Sequence, residues 1–133
     1  MKSLLMVLGL MVSTASYAEV AANGLIGSVW TANGQSGDLL ITYVLRFNQD
    51  NLVIESTCRA DEVASTLKSQ LAASYSDNGA VAKLNAGLLA TIPTGRGSCS
   101  VAFPAGLQFQ RDQDRIFIEY DGTRRLTGLK RQN

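Results

Sequence analysis

The sequence predicts an all-β domain, folded as a small antiparallel up-and-down barrel of about eight short strands. Three observations support this fold class. Apolar and polar side chains alternate along several short segments, as in half-buried strands. Clusters of Asn, Asp and Gly separate these segments and mark tight turns. The chain has 133 residues, 46% of them hydrophobic, which suits one packed domain and is too short for two.

Residues 1–18 have the features of a secretory signal peptide. Lys2 provides a positive start, residues 4–12 form an apolar run, and the small residues Ser16 and Ala18 form a cleavage site. The apolar run is shorter than the ~20 residues needed to span a bilayer. We therefore expect cleavage after Ala18 and a periplasmic or secreted protein, with an uncleaved N-terminal anchor as the alternative.

The remaining residues, 19–133, are expected to form a single β-barrel domain without a membrane span. Loss of Lys2 balances the 12 basic against the 11 acidic residues, so the charge gives no basis for nucleic-acid binding. The chain has no histidine, which is the commonest general base and the commonest metal ligand. Ser-His-Asp and Cys-His catalysis and ordinary zinc sites are thereby excluded. We predict no enzymatic activity, no metal site and no cofactor.

The first half of the chain contains three predicted strands. Residues 26–32, which include Trp30, form the first strand, and an Asn33-Gly34 turn is expected to end it. Residues 38–47 alternate between two faces, and residues 52–58 follow after a polar turn. This pattern predicts a β-hairpin.

The second half continues in the same style, with an Asp121-Gly122 hairpin turn near its end. Between two of its strands, residues 87–97 are predicted to form an irregular loop. The expected strands are residues 81–84, 98–103, 107–110, 115–120 and 123–130.

Residues 61–75 fit two structures. Val63, Leu67, Leu71 and Tyr75 recur every four residues, which favours a helix. The same four residues also lie on one face of a strand, and several Ser and Thr residues weaken a helix. The alternative to the all-β fold is therefore an α+β domain with one helix near 61–75.

Two cysteines, Cys58 and Cys99, are the only ones in the chain. An even pair in an exported domain predicts a disulfide, and there is no C-x-x-C redox motif. Both residues fall on apolar strand faces, so we expect the disulfide to lie in the core. The chain-entropy model gives such a bridge a stabilising contribution of roughly 4 kcal/mol.

The chain combines a signal peptide, the segment Gly27-Ser28-Val29-Trp30 in an early strand, a meander of short strands with a core cystine, and a basic terminal strand with Arg124, Arg125 and Arg131. With these features it resembles small lipocalin-like β-barrel proteins of the bacterial periplasm over most of residues 25–131. The lipocalin family has Gly-x-Trp near its start, whereas two residues separate Gly27 from Trp30 here. In that family an arginine near the C-terminal end packs across the tryptophan. The resemblance therefore implies that Arg125 or Arg131 packs against Trp30 at the base of the barrel.

An eight-stranded barrel has an interior that side chains can fill or that can hold one small ligand. The short strands and the large inward residues Tyr43, Phe47, Phe103 and Phe109 favour a filled interior. A ligand cavity stays open as the alternative.

Carboxylates are the remaining candidates for acid–base chemistry. Asp61 and Glu62 are neighbours at a predicted turn or helix start, and Asp112 and Asp114 flank a glutamine in another turn. A glycosidase needs two carboxylates that face each other across ~5–9.5 Å. We interpret these four residues as solvated turn residues, and predict no catalytic residue.

The expected function is that of an exported, non-enzymatic binding or interaction module on a disulfide-stabilised barrel. Its partner is expected to be an envelope protein or a small apolar ligand. The alternatives are a carrier of a small apolar ligand and a hydrolase that acts on envelope glycans with carboxylates alone. The basic residues near the C-terminus are read as a solvated edge strand, which discourages aggregation.

Overall fold

A computed structural model describes residues 24–132, and within that range the fold is all-β with no helix. The predicted all-β, antiparallel, barrel-like fold is confirmed. The expected signal peptide at residues 1–18 and its cleavage site after Ala18 lie outside the described residues. The eleven strands are β1 Val29–Ser36, β2 Leu39–Phe47, β3 Asn51–Ala60, β4 Val63–Tyr75, β5 Val81–Leu84, β6 Leu88–Thr94, β7 Gly97–Phe103, β8 Gln108–Asp112, β9 Arg115–Tyr120, β10 Thr123–Leu126 and β11 Lys130–Gln132.

Nine of these strands form one antiparallel sheet in the order β10-β9-β8-β5-β4-β3-β2-β1-β11. The strands at its two ends, β10 and β11, are separated in the chain by residues 127–129 alone, so the sheet must curl back on itself. Thr127 donates a backbone hydrogen bond to Ile116 of β9 at 2.9 Å, and Lys130 of β11 pairs with Thr31 of β1. The single last strand predicted at 123–130 is thus divided, and its two parts bind opposite ends of the sheet.

The segment 87–97 forms most of a second, two-stranded sheet, so its prediction as an irregular loop is wrong. Strands β6 and β7 pair with each other from Leu88↔Phe103 to Thr94↔Gly97. Gly87, Pro93 and the glycines of the turn hid this hairpin, because glycine and proline weaken a strand pattern. Its insertion between β5 and β8 also interrupts the up-and-down order of the barrel.

The ambiguous segment 61–75 forms β4, a strand of thirteen residues, and the helical alternative is wrong. It pairs with β3 from Ala60↔Val63 to Asn51↔Ala72. A spacing of four places residues on one side of a helix and also on one side of a strand, so the pattern alone did not decide.

The turns between strands lie at residues with a positive φ. β1 continues through Asn33 and Gly34 to Ser36, so the expected turn at Asn33-Gly34 is wrong, and the chain reverses near Gly37, whose φ is +60°. The predicted Asp121-Gly122 turn between β9 and β10 is confirmed, with φ values of 51° and 79°. Positive φ at both central positions matches the right-handed twist of a hairpin.

The interior of the curled sheet contains two hydrophobic clusters. The larger cluster includes the fully buried Trp30, Phe47 and Leu52, together with Phe109. The smaller cluster lies between the β6–β7 hairpin and the inner face of the sheet, and contains the disulfide. One end of the barrel is therefore filled by large side chains, and part of the other end is covered by the inserted hairpin.

Candidate ligand-binding site

A cavity of about 550 Å³ lies inside the barrel, between the wall formed by β1 and β2 and the wall formed by β8, β9 and β10. Its lining is mainly apolar, with Leu45, Phe109 and Leu129 among its most buried members. The end of β7, at Phe103, bounds it on the side of the inserted hairpin. The filled interior favoured by the sequence is therefore present at one end only.

Strand register explains why these residues face the cavity. Ala32 lies opposite Tyr43 in the β1–β2 pair, and Phe109 lies opposite Ile118 in the β8–β9 pair. Arg125 of β10 also lies opposite Ile118, so it shares the inward face. Side chains two residues apart in a strand point to the same side, and all five of these residues line the cavity.

Aromatic rings form the boundary between the cavity and the filled end. The ring of Tyr43 meets that of Phe103 edge to face at a centroid distance of 5.8 Å. Phe109 lies 6.4 Å from Phe103 and 5.5 Å from Phe47. These contacts fix the ring orientations, because edge-to-face aromatic pairs add ~0.5–1.5 kcal/mol to the burial of their surface. The cavity wall is therefore preformed.

The cavity lies along a seam in the barrel wall. β1 pairs with β11 over residues 29–31 only, and in the described part of the chain β10 pairs only with β9. Ala32 and Arg125 line the cavity from the two sides of this seam, with Gly128 between the strands that they belong to. A Cβ atom at Gly128 would meet no heavy atom of residues 24–132 within 4 Å, so space remains beside it in this part of the chain.

The rim of the cavity is polar and exposed. Tyr120, which is 47% exposed, lies there with Asp121, Thr123 and Arg125. Deeper inside, burial raises the pKa of the Tyr43 phenol above its usual value, so this group is a neutral hydroxyl at physiological pH. The site thus combines an apolar body with a polar mouth.

The opposite end of the barrel is closed around Trp30. The guanidinium over its ring belongs to Arg111 of β8, at 5.3 Å from the ring centroid. Arg131 lies opposite Trp30 in the register of β1 and β11, and Arg125 faces the cavity. The resemblance implied Arg125 or Arg131 in this contact, and the structure places Arg111 there. Alternation extended past Phe109 places Arg111 on the inward face with Leu107 and Phe109, but it does not pair Arg111 with Trp30.

Arg111 is fixed by several partners. It donates hydrogen bonds to the carbonyl oxygens of Gly24 and Gln113, the latter at 2.9 Å from Nε. Burial lowers the pKa of Arg111, and the positive charge of Arg131 lowers it further. These contacts identify Arg111 as a structural residue that closes the barrel.

The predicted disulfide between Cys58 and Cys99 is confirmed, with a Cα–Cα distance of 5.9 Å. Both residues are buried, so the bridge lies in the core as expected. It joins β3 of the main sheet to β7, and thereby fixes the hairpin that bounds the cavity.

The four candidate carboxylates form two pairs, and the two pairs lie far apart. Asp61 forms an exposed ion pair of 2.7 Å with Arg96 at the turn before β4, and Asp112 forms one of 3.2 Å with Arg115 beside the turn after β8. The turn after β8 is near the other end of β4, because the backbone N–H of Arg111 donates a hydrogen bond to the carbonyl oxygen of Ala80 in the loop that follows β4. A strand of thirteen residues is about 40 Å long, so the two pairs do not face each other across a cleft.

Residues 24–132 contain no helix that is long and apolar enough to cross a membrane. Comparisons with protein-family models, with characterised proteins and with solved structures found no match for this chain.

Proposed function

We propose that this chain is a non-enzymatic binding protein whose interior cavity holds one small, mainly apolar ligand. The observation that carries this proposal is the cavity of about 550 Å³ behind the seam between β1 and β10. Small-molecule sites are typically clefts of ~300–1,000 Å³ with apolar walls and a few polar groups. The lining of this cavity, which includes Leu45, Phe103 and Ile118 with polar residues at the rim, has that composition.

Apolar burial supplies the binding energy in this proposal. Each Å² of apolar surface removed from water contributes ~25 cal/mol, so a ligand of ten or so carbon atoms gains several kcal/mol from these walls. The rings of Tyr43, Phe103 and Phe109 are held by mutual contacts, so little ordering is needed on binding. A preformed apolar wall favours binding for this reason.

The proposed location is the periplasm or the extracellular medium. The disulfide between Cys58 and Cys99 is compatible with an oxidising, exported compartment, where such bridges persist. The expected signal peptide supports the same location. The lipocalin-like resemblance stays a prediction.

The test is a titration with N-phenylnaphthylamine, a neutral fluorescent probe of apolar sites. We expect saturable binding to the purified protein. In the variant Ala32→Phe, a phenyl ring enters the cavity from β1, and we expect probe binding to be lost. Asn33→Phe is the matched control, because Asn33 is exposed and its side chain points to the opposite face of the same strand.

Both variants are first compared with the wild type by circular dichroism and thermal unfolding. Absence of saturable binding by the wild type, or equal binding by folded Ala32→Phe, would contradict the proposal. Native mass spectrometry of the freshly purified protein gives an independent check, since a co-purified apolar molecule appears as an added mass.

A further inference from the structure

Two consecutive arginines in β10 have opposite environments. Arg124 lies on the outer face, where its Cζ is 3.8 Å from the ring centroid of Phe117 and its Nε donates to Gln110 at 2.9 Å. Arg125 lies on the inward face opposite Ile118 and lines the cavity. The structure of residues 24–132 records no hydrogen bond, ion pair or aromatic contact for the Arg125 guanidinium.

The other charged residue at the mouth, Asp121, forms no ion pair with Arg125. Asp121 also lines the cavity, from the β9–β10 turn. No carboxylate oxygen of the described residues lies within 4.0 Å of an Arg125 nitrogen, the distance of an ion pair. The five N–H donors of the Arg125 guanidinium therefore have no partner among residues 24–132, and the group lies beside an apolar cavity.

Two other polar groups near the cavity already have partners. The hydroxyl of Thr127 donates to Ile116 at 2.6 Å, and the guanidinium of Arg111 is bound to Gly24, Gln113 and Trp30 at the closed end. Arg125 is the cationic side chain that lines the cavity. The planar fork of a guanidinium matches a carboxylate or a phosphate, with two parallel hydrogen bonds.

We propose that the cavity binds a single-chain amphiphile with an anionic head group, with its apolar chain between Tyr43, Phe103 and Ile118 and its head group on the guanidinium of Arg125. The apolar part of this inference rests on the proposed function, and the head group is the addition. The head group stays at the exposed mouth, where it keeps part of its hydration, so binding avoids the cost of burying a charge.

A ligand that enters at the seam can contact Arg125 with its head group and the apolar wall of the cavity with its chain. Arg125 and Ala32 lie on opposite sides of the seam, and both line the same cavity. A chain that enters between β1 and β10 passes the guanidinium before it reaches the buried wall at Leu45 and Phe109. The order of these residues from rim to interior matches the order of head group and chain in an amphiphile.

The experiment is displacement of N-phenylnaphthylamine by three compounds with the same ten-carbon chain: decanoate, decan-1-ol and decylammonium. We expect decanoate to bind most tightly and decylammonium most weakly. Arg125→Gln should weaken decanoate binding about tenfold and leave decan-1-ol binding unchanged, since a charge-assisted bidentate contact is worth about that factor. Arg124→Gln is the matched control and should change neither affinity.

Two further variants test the charge itself. Arg125→Lys keeps the positive charge without the planar fork and should retain part of the preference for decanoate. Asp121→Asn removes the negative charge at the mouth and should strengthen decanoate binding. Decyl phosphate in place of decanoate distinguishes a phosphate from a carboxylate head group, and Arg125-dependent binding of either compound supports the inference.

The inference is overturned if decan-1-ol competes as well as decanoate, or if folded Arg125→Gln keeps the full preference for decanoate. In either case the probe still binds in the cavity and the proposed function stands. Failure of the probe to bind the wild type overturns the proposed function and the inference with it.

Discussion

Arg111 of β8 lies over the indole of Trp30 of β1, with its Cζ 5.3 Å from the ring centroid. The two strands are separated by four others along the sheet, so the contact crosses the interior of the curled barrel. The indole Nε1 donates at 2.8 Å to the hydroxyl of Ser28, which in turn donates to the carbonyl oxygen of Leu25. The N-terminal end of the described chain thus closes the base of the barrel and leaves the cavity to open elsewhere.

Arg111→Met should reduce the free energy of unfolding by about 2–3 kcal/mol, because it removes a desolvated cation–π contact and hydrogen bonds from a charged donor. Arg115→Met is the control. Arg115 also approaches a ring, that of Phe117 at 5.5 Å, and pairs with Asp112, but it is exposed. We expect a loss below about 1 kcal/mol there. Urea unfolding of both variants measures the difference, and equal losses would contradict a structural role for Arg111.

Two buried serines should respond to alanine in opposite directions. The hydroxyl of Ser56 has no hydrogen-bond partner among residues 24–132, so Ser56→Ala should leave stability unchanged or raise it by up to about 1 kcal/mol. Ser28→Ala removes the acceptor of the Trp30 indole and should cost about 1–2 kcal/mol. Thermal unfolding of the two variants tests this contrast, and a loss of stability in Ser56→Ala would contradict it.

Removal of the disulfide should loosen the boundary of the cavity. The bridge joins residues 41 apart, and the double variant Cys58→Ala/Cys99→Ala should lose roughly 4 kcal/mol of unfolding free energy. Amide hydrogen exchange should rise most in β6 and β7, because the hairpin has no backbone pairing to the main sheet. Exchange that rises equally in β2 and in the hairpin would show that the bridge does not fix the hairpin specifically.

The phenol of Tyr75 should lose its proton at a higher pH than an ordinary tyrosine. Burial, with a smaller effect from the negative charge of Asp50, raises its pKa to about 12. The unfolded chain releases this proton near pH ~10 and the folded chain releases it later, so Tyr75 stabilises the fold below pH ~10 and this contribution is lost as the pH rises toward 12. Tyr75→Phe should therefore flatten the loss of stability between pH ~10 and ~12.

Ultraviolet absorbance of ionised tyrosine measures this titration. The absorbance step at the highest pH should disappear in Tyr75→Phe and persist in the control Tyr120→Phe, whose ring is 47% exposed. Persistence of this step in Tyr75→Phe would contradict the assignment.

Alternation predicted those strands whose two faces differ clearly in polarity. Residues 115–120 were predicted with the observed bounds, and the hairpin of β2 and β3 was predicted within a few residues. The two-cysteine pattern predicted the core disulfide between Cys58 and Cys99. These features depend on local sequence and on burial of one strand face, both of which a single sequence records.

The cavity could not be predicted in this way, because it depends on how the ends of the sheet meet. Residues 127–129 interrupt the pairing of the last strand, and this opens the seam between β1 and β10. Arg125 and Ala32 come together only through that closure. The contact of Arg111 with Trp30 depends on the same curvature, and no local pattern contains it.

Binding inside the barrel is tested most directly by an NMR titration of the protein with decan-1-ol, observed at the methyl groups that line the cavity. We expect saturable shifts concentrated at Leu45, Ile118 and Leu129, and unchanged methyl groups at the exposed Leu40 and Val63. Shifts that are absent, or that fall on the outer face of the barrel while the cavity methyl groups stay unchanged, would contradict a binding site inside the barrel.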